Sequence, residues 1–184
     1  MVKVQGGCHC GQVRYTLHLT LPHTPNPTPS APPSGTQRIY RCNCTTCHKM
    51  GQFHIRPQSP TDDFLLLSPL DPFTLGDYIT GDKVLHFFFC KQCGVRPFIF
   101  AGDGEVVDSE VDGKIVQAWR PKRGGGHPEY GNYLSVNGHT IDAEQEFDMR
   151  ELTEKKVVLY CDCYSDEKDE APFTYERPQI NGCY

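Results

Sequence analysis

Seven of the ten cysteines in this 184-residue chain fall into three tight groups: Cys8-His9-Cys10, Cys42-Asn43-Cys44-Thr45-Thr46-Cys47 and Cys90-Lys91-Gln92-Cys93. Such spacing suits metal ligation, and it divides unevenly. Two pairs complete one tetrahedral site of four thiolates, while the triplet Cys42, Cys44 and Cys47 supplies only three. A zinc held by four protein ligands is closed and structural, whereas one held by three keeps a position for water or substrate. In Cys8-x-Cys10 an extended backbone would point both sulfurs to one face, and Gly6, Gly7 and Gly11 allow a tight path around an ion. Cys90-x-x-Cys93, followed by Gly94, has knuckle spacing at the end of the apolar run Phe87-Phe88-Phe89. Cys8, Cys10, Cys90 and Cys93 are therefore expected to enclose a structural zinc.

The triplet sits among Asn43, Thr45, Thr46, His48 and Lys49, a polar loop in which unused thiols would be oxidation liabilities. Three thiolates on a divalent ion accept a further sulfur or oxygen ligand. A fourth protein donor from His9, His48 or His54 would close that position. His48, Lys49, His54 and Arg56 follow the triplet and are candidates for proton transfer or for holding a carboxylate, Arg56 by a bidentate fork. Arg96 beside the third group could serve likewise. Cys161, Cys163 and Cys183 stand outside these groups and read as ordinary or regulatory thiols rather than a third metal site.

A hydrophobic content of 38% and 15 prolines imply a modest core, to which metal binding would add stability. The net charge of -5 disfavours broad nucleic-acid or anionic-membrane binding. The first residues lack the apolar run of a signal peptide, and no stretch is long enough for a membrane span, so a cytoplasmic protein is expected. In that compartment paired cysteines point to metal rather than to a disulfide framework.

The elements around these groups read mainly as strands. Val2 to Val4, Val13 to Leu19 and Arg38 to Tyr40 alternate apolar and polar residues. Phe64 to Leu67, Thr74 to Thr80, Lys83 to Phe89, Phe98 to Phe100 and Asn132 to Asn137 follow the same reading. A turn after Cys44 and Ala143 to Glu151 are the best short helices. Pro22 to Pro33 is too rich in proline for helix or sheet, and Gly102 to Glu129 reads as a long loop, a lid or a partner surface. The acidic run Asp166 to Glu170 reads as a solvated tail.

In order along the chain stand Gly6-Gly7-Cys8-His9-Cys10-Gly11-x-Val13-Arg14, Cys42-x-Cys44-x-x-Cys47-x-Lys49-x-Gly51, Phe89-Cys90-Lys91-x-Cys93-Gly94-Val95-Arg96-Pro97-Phe98 and Tyr133-Leu134-Ser135-Val136-Asn137 with Ile141-Asp142. This series resembles the glutathione-dependent formaldehyde-activating enzyme family, which includes centromere protein V. The resemblance implies a mainly β chain with a β-tent zinc-binding fold, short helical pieces and long loops. It would place that domain at 1–160, with a proline-rich loop insertion at 22–35, a loop insertion at 102–129 and an acidic C-terminal extension at 161–184.

The resemblance also implies two zinc ions, structural at Cys8, Cys10, Cys90 and Cys93 and catalytic at Cys42, Cys44 and Cys47. Glutathione would be the co-substrate, and the activity that of a carbon–sulfur lyase or S-(hydroxymethyl)glutathione synthase. His48, Lys49, His54 and Arg56 would then contact a small, glutathione-linked substrate; no nucleic-acid or membrane partner is expected, and a homodimer is compatible with the sequence. Two other readings stand beside it. One is a zinc-stabilised interaction module without catalysis, and the other is an enzyme on the same scaffold acting on a secondary metabolite without glutathione.

Overall fold

The computed structural model describes residues 1–26, 35–164 and 173–184, and within them the chain is mainly β. The first half supplies β1 (Val2–Gly7), β2 (Arg14–Leu19), β3 (Arg38–Cys42), helix α1 (Thr45–Met50), β4 (His54–Arg56), helix α2 (Pro60–Asp63), β5 (Phe64–Ser68), β6 (Gly76–Ile79) and β7 (His86–Phe89). The second supplies β8 (Phe98–Ala101), β9 (Gly104–Val111), β10 (Lys114–Pro121), β11 (Tyr133–Asn137), helix α3 (Met149–Glu154), β12 (Leu159–Cys161) and β13 (Phe173–Thr174). Two sheets result. One has the order β1-β2-β5-β10-β9 and the other β13-β12-β3-β4-β11-β8-β7-β6.

The sheets meet through aromatic rings. Phe64 on the first packs edge-on against Phe98 on the second, with centroids 5.4 Å apart, and Trp119 meets Phe100 at 5.0 Å. Tyr15, Phe64, Phe98 and Phe100 are all fully buried, and each such phenylalanine removed from water contributes up to about 3 kcal/mol. Gly6 lies inside β1 rather than in the turn. A Cβ there would fall 2.3 Å from the Tyr15 hydroxyl oxygen, so the glycine makes room for that buried ring. Of the three glycines around Cys8 and Cys10, only Gly11 needs a left-handed conformation, at φ +82°.

Several expectations are corrected by the backbone. Most of 102–129 is not loop: over 104–121, β9 and β10 form a long antiparallel hairpin, register Val111↔Lys114 to Gly104↔Pro121, with only 102–103 and 122–129 outside it. Its turn is Asp112-Gly113, both at positive φ, the dipeptide that favours a two-residue hairpin. β10 also joins β5 through Trp119↔Leu66, so the hairpin is part of the sheet rather than a lid. The second helix begins later than the 143–151 reading, at Met149, because the Asp148 carboxylate caps it by accepting from Arg150 N. The strand expected over Thr74 to Thr80 is a short 3-10 turn at Pro72–Thr74 followed by β6.

The 161–184 boundary is corrected as well. Cys161 ends β12, which pairs with β3 in the register Leu159↔Tyr40, Tyr160↔Arg41 and Cys161↔Cys42. This is parallel pairing, whereas the other strand pairs among the described residues are antiparallel. The later part of Pro22 to Pro33 and the run Asp166 to Glu170 lie outside the described residues. Among the described residues no helix is long and apolar enough to cross a membrane.

Candidate metal centres

The two cysteine pairs reach one point from different sheets. Cys8 and Cys10 lie in the turn between β1 and β2 of the first sheet, and Cys90 and Cys93 in the turn between β7 and β8 of the second. Both turns are folded alike. Cys8 N donates to Val13 O at 3.0 Å, and the Cys8 carbonyl accepts from Gly11 N at 3.1 Å. Cys90 N donates to Val95 O at 2.9 Å, and its carbonyl accepts from Gly94 N at 2.8 Å. Gly94 takes φ +73°, which a side chain would strain.

The four sulfurs lie within 4.8 Å of one another and could hold a metal ion. Cys8 and Cys10 Sγ are 3.5 Å apart, and Cys10 and Cys90 Sγ 3.6 Å. A tetrahedral zinc with bonds of about 2.3 Å would set its sulfurs about 3.8 Å apart, so the spacing fits. Backbone N–H groups already point at the sulfurs as they do at thiolates. Val13 N donates to Cys8 Sγ at 3.2 Å, and the N–H of Val95, with that of Cys10, holds the Cys93 pKa down to about 6. All ten cysteines are free thiols, so no disulfide framework is present.

Cys42, Cys44 and Cys47 form the second group, again within 4.8 Å of one another. Cys42 ends β3, Cys44 caps α1 and Cys47 lies inside that helix. Cys44 N donates to Cys42 Sγ and Cys47 N to Cys44 Sγ, each at 3.4 Å. Hydrogen bonds from the Cys42 and Cys47 thiols, joined by the N–H groups opening α1, hold the Cys44 pKa down to about 2. Cys42 is pushed up in turn, by hydrogen bonding with the Cys163, Cys44 and Cys47 thiols.

The candidate histidines separate here. His54 on β4 is 3% exposed. Its Nε2 lies 3.2 Å from Cys47 Sγ, its Nδ1 2.8 Å from Ser135 Oγ, and its ring stacks on Tyr40 at 4.3 Å. Of the three sulfurs it meets only that of Cys47, and it does not join the three-sulfur group, so it would orient a ligand rather than add one. Burial pushes its pKa down to about 3, which keeps the ring neutral. His48 and Lys49 are exposed on the last turn of α1, and His9 is exposed in the turn of the four-cysteine site. Arg56 stacks on the Tyr133 ring at 4.1 Å. A cleft of about 500 Å³ lined by Thr45, Thr46, Lys49, Met50, Tyr78 and Arg96 runs along the helix that bears Cys47.

Sequence reasoning missed the residues that fix the triplet loop. Asn43, between two of the cysteines, is 2% exposed. Its Nδ2 donates to Asp162 Oδ1 at 2.7 Å and to Ile180 O at 2.9 Å, and its Oδ1 accepts from Cys163 N at 2.6 Å. Its backbone carbonyl accepts from Asn181 Nδ2 at 3.0 Å, and Arg41 Nη1 reaches Cys183 Sγ at 3.8 Å. The C-terminal segment is therefore lashed across the triplet. A loop asparagine carries no local sign of such distant partners, and Tyr40 and Tyr133, whose hydroxyls lie 3.2 Å apart beside the site, carry none either. His54→Ala would empty a buried ring and strand the Ser135 hydroxyl. A loss of about 3 kcal/mol is expected in urea unfolding, against about 1 kcal/mol for Ser135→Ala.

No protein-family model matches the chain. A crystal structure of a Rhodobacter sphaeroides protein aligns over 80% of this chain and 94% of that one, at 16% identity and a TM-score of 0.45. That likeness is too loose to carry fold or chemistry across.

Proposed function

We propose that this chain is a zinc-dependent enzyme that makes or breaks a carbon–sulfur bond between glutathione, or a similar thiol, and a small aldehyde or electrophilic metabolite. The observation that carries the reading is the inequality of the two groups: four sulfurs gathered in one and three in the other. Cys42, Cys44 and Cys47 would hold the zinc, which would supply Lewis acidity that makes a thiol easier to ionise near neutral pH. The residues of the chain do the rest. The N–H groups of Cys44 and Cys47 meet the sulfurs of Cys42 and Cys44, Asn43 anchors the loop between them, and His54 meets Cys47. Lys49 and Arg96 line the cleft beside α1 with positive charge suited to the carboxylates of a peptide-like thiol. In the addition, the thiol sulfur bonds to the carbonyl carbon and the thiol proton ends on the former carbonyl oxygen. Elimination runs the same steps backwards.

Exchange between formaldehyde and S-(hydroxymethyl)glutathione, followed by NMR with carbon-labelled formaldehyde, tests this reading. The zinc-loaded chain is expected to accelerate exchange, and stripping zinc to abolish the acceleration. A chain that binds two zinc ions and leaves the exchange rate untouched would select the non-catalytic module. Equal acceleration with no glutathione, using another electrophile, would select the enzyme that does without it.

A further inference from the structure

Strand pairing carries the sheet face of the triplet across to the C-terminal strands. Cys42 on β3 stands opposite Cys161 on β12, and Cys161 stands opposite Phe173 on β13. Leu159 stands opposite Tyr40 in the row two residues back. Residues opposite one another in register, and those two apart on one strand, share a face. Tyr40, Leu159, Cys161 and Phe173 accordingly line one cavity of about 460 Å³, closed further by Pro25 and Tyr175. Its walls are mostly aliphatic and aromatic, and no carboxylate among the described residues lines it. Tyr40 is also the ring that stacks on His54, whose Nε2 meets Cys47 Sγ. The cavity and the triplet therefore share a wall.

We infer that this cavity seats the apolar body of the electrophile, which is an aldehyde bearing an aryl or similar apolar group rather than formaldehyde. The inference rests on the carbon–sulfur chemistry proposed for Cys42, Cys44 and Cys47, and it specifies the second substrate. A recess of this size, apolar with a few polar groups at its wall, suits a small organic ligand. Formaldehyde would leave it unused. From Cys42 to Phe173 is two strand spacings, about 10 Å. A ring resting against Phe173 and Leu159 therefore sets its carbonyl at the triplet when a short tether of carbons joins the two. Arg38 is a fixed positive charge on the lining, and with no carboxylate there a cationic body is disfavoured. The cleft lined by Lys49 and Arg96 remains for the thiol, so each substrate has its own recess.

NMR exchange measurements on the zinc-loaded full chain with glutathione, comparing 3-phenylpropanal with formaldehyde, test this. After subtraction of each uncatalysed rate, kcat/KM is expected to be about 10- to 100-fold higher for 3-phenylpropanal, the discrimination that apolar groups give in a fitted pocket. Phe173→Trp narrows the cavity from β13, an edge strand. It is expected to lower the 3-phenylpropanal value about tenfold and to leave formaldehyde within about twofold. Thr24→Trp, at an exposed position of the same lining, is expected to act alike without touching the sheet. Equal kcat/KM for the two aldehydes, or variants that slow both alike, would overturn the inference. If neither aldehyde is accelerated, the carbon–sulfur reading falls, and binding of the inert 3-phenylpropanol decides the cavity separately. Binding to the wild type about tenfold tighter than to Phe173→Trp keeps it as an aryl site; equal binding, or none, removes it.

Discussion

Cys90→Ser is expected to lower the melting temperature by about 10–20 °C and to leave much of the protein insoluble. Structural zinc sites contribute about 10–16 kcal/mol of apparent binding free energy, while whole domains are stable by about 5–15 kcal/mol. Weakening the four-sulfur site by about 5 kcal/mol would therefore consume a large share of the total, and each kcal/mol moves the melting point of a chain this size by about 2–4 °C. The geometry explains why the loss would be global. Cys8 and Cys10 hang from the first sheet and Cys90 and Cys93 from the second, so one ion held by all four would tie both sheets at their turns. Without it the sheets would keep their shared apolar core, such as Phe64 on Phe98, and bonds such as Tyr15 to Thr140, but lose the tie at their turns. Cys183→Ser, a substitution outside both groups, serves as the control and should shift melting by no more than a few degrees. A Cys90→Ser protein melting within a few degrees of wild type would show that no structural metal is held there.

Cys44→Ser should do the opposite: leave the fold nearly intact and remove the activity. Cys44 caps α1, accepting from Cys47 N, and serine is among the best residues for that position. The helix start is thus retained while a thiolate is lost. Losing even an outer partner of a metal ligand costs about 10–100-fold, so losing one of only three ligands is expected to cost at least about 10³-fold in turnover. Native mass spectrometry should count one zinc in place of two, and the melting temperature should stay within about 4 °C. If turnover survives at more than a tenth of wild type, the triplet is not the reacting centre. Comparing the two variants separates stability from chemistry, because each substitutes serine for cysteine.

The cysteine groups were legible because metal ligation imposes short, local spacing, and local spacing is what a sequence displays directly. Strand alternation likewise marked β1, β2 and β3, and the apolar run Phe64 to Leu67 marked β5. The α1 turn was legible for a related reason, since a polar residue run after Cys44 suits a helix start. The hairpin of β9 and β10 was obscured by its charges. Asp108, Glu110 and Lys114 mark exposed faces of strands, yet beside Gly102, Gly104 and Gly113 they read as loop. Asp112-Gly113 was the signal that could have found it. Least legible was everything set by distant pairing. Nothing local to Asn43 announces Asp162, Cys163 or Ile180, because side-chain amides make such bonds wherever the fold delivers a partner.

The parallel pairing of β12 with β3 has a further consequence, for biosynthesis. Asn43 meets Asp162, which lies 119 residues later in the chain. At about 10 residues per second of translation, the three clustered thiols wait roughly ten seconds after synthesis before their covering segment exists. During that interval they are open to any metal or electrophile at hand. A metal that the three thiols could hold can therefore reach them on the nascent chain, before Asp162 and Cys163 are made to meet Asn43.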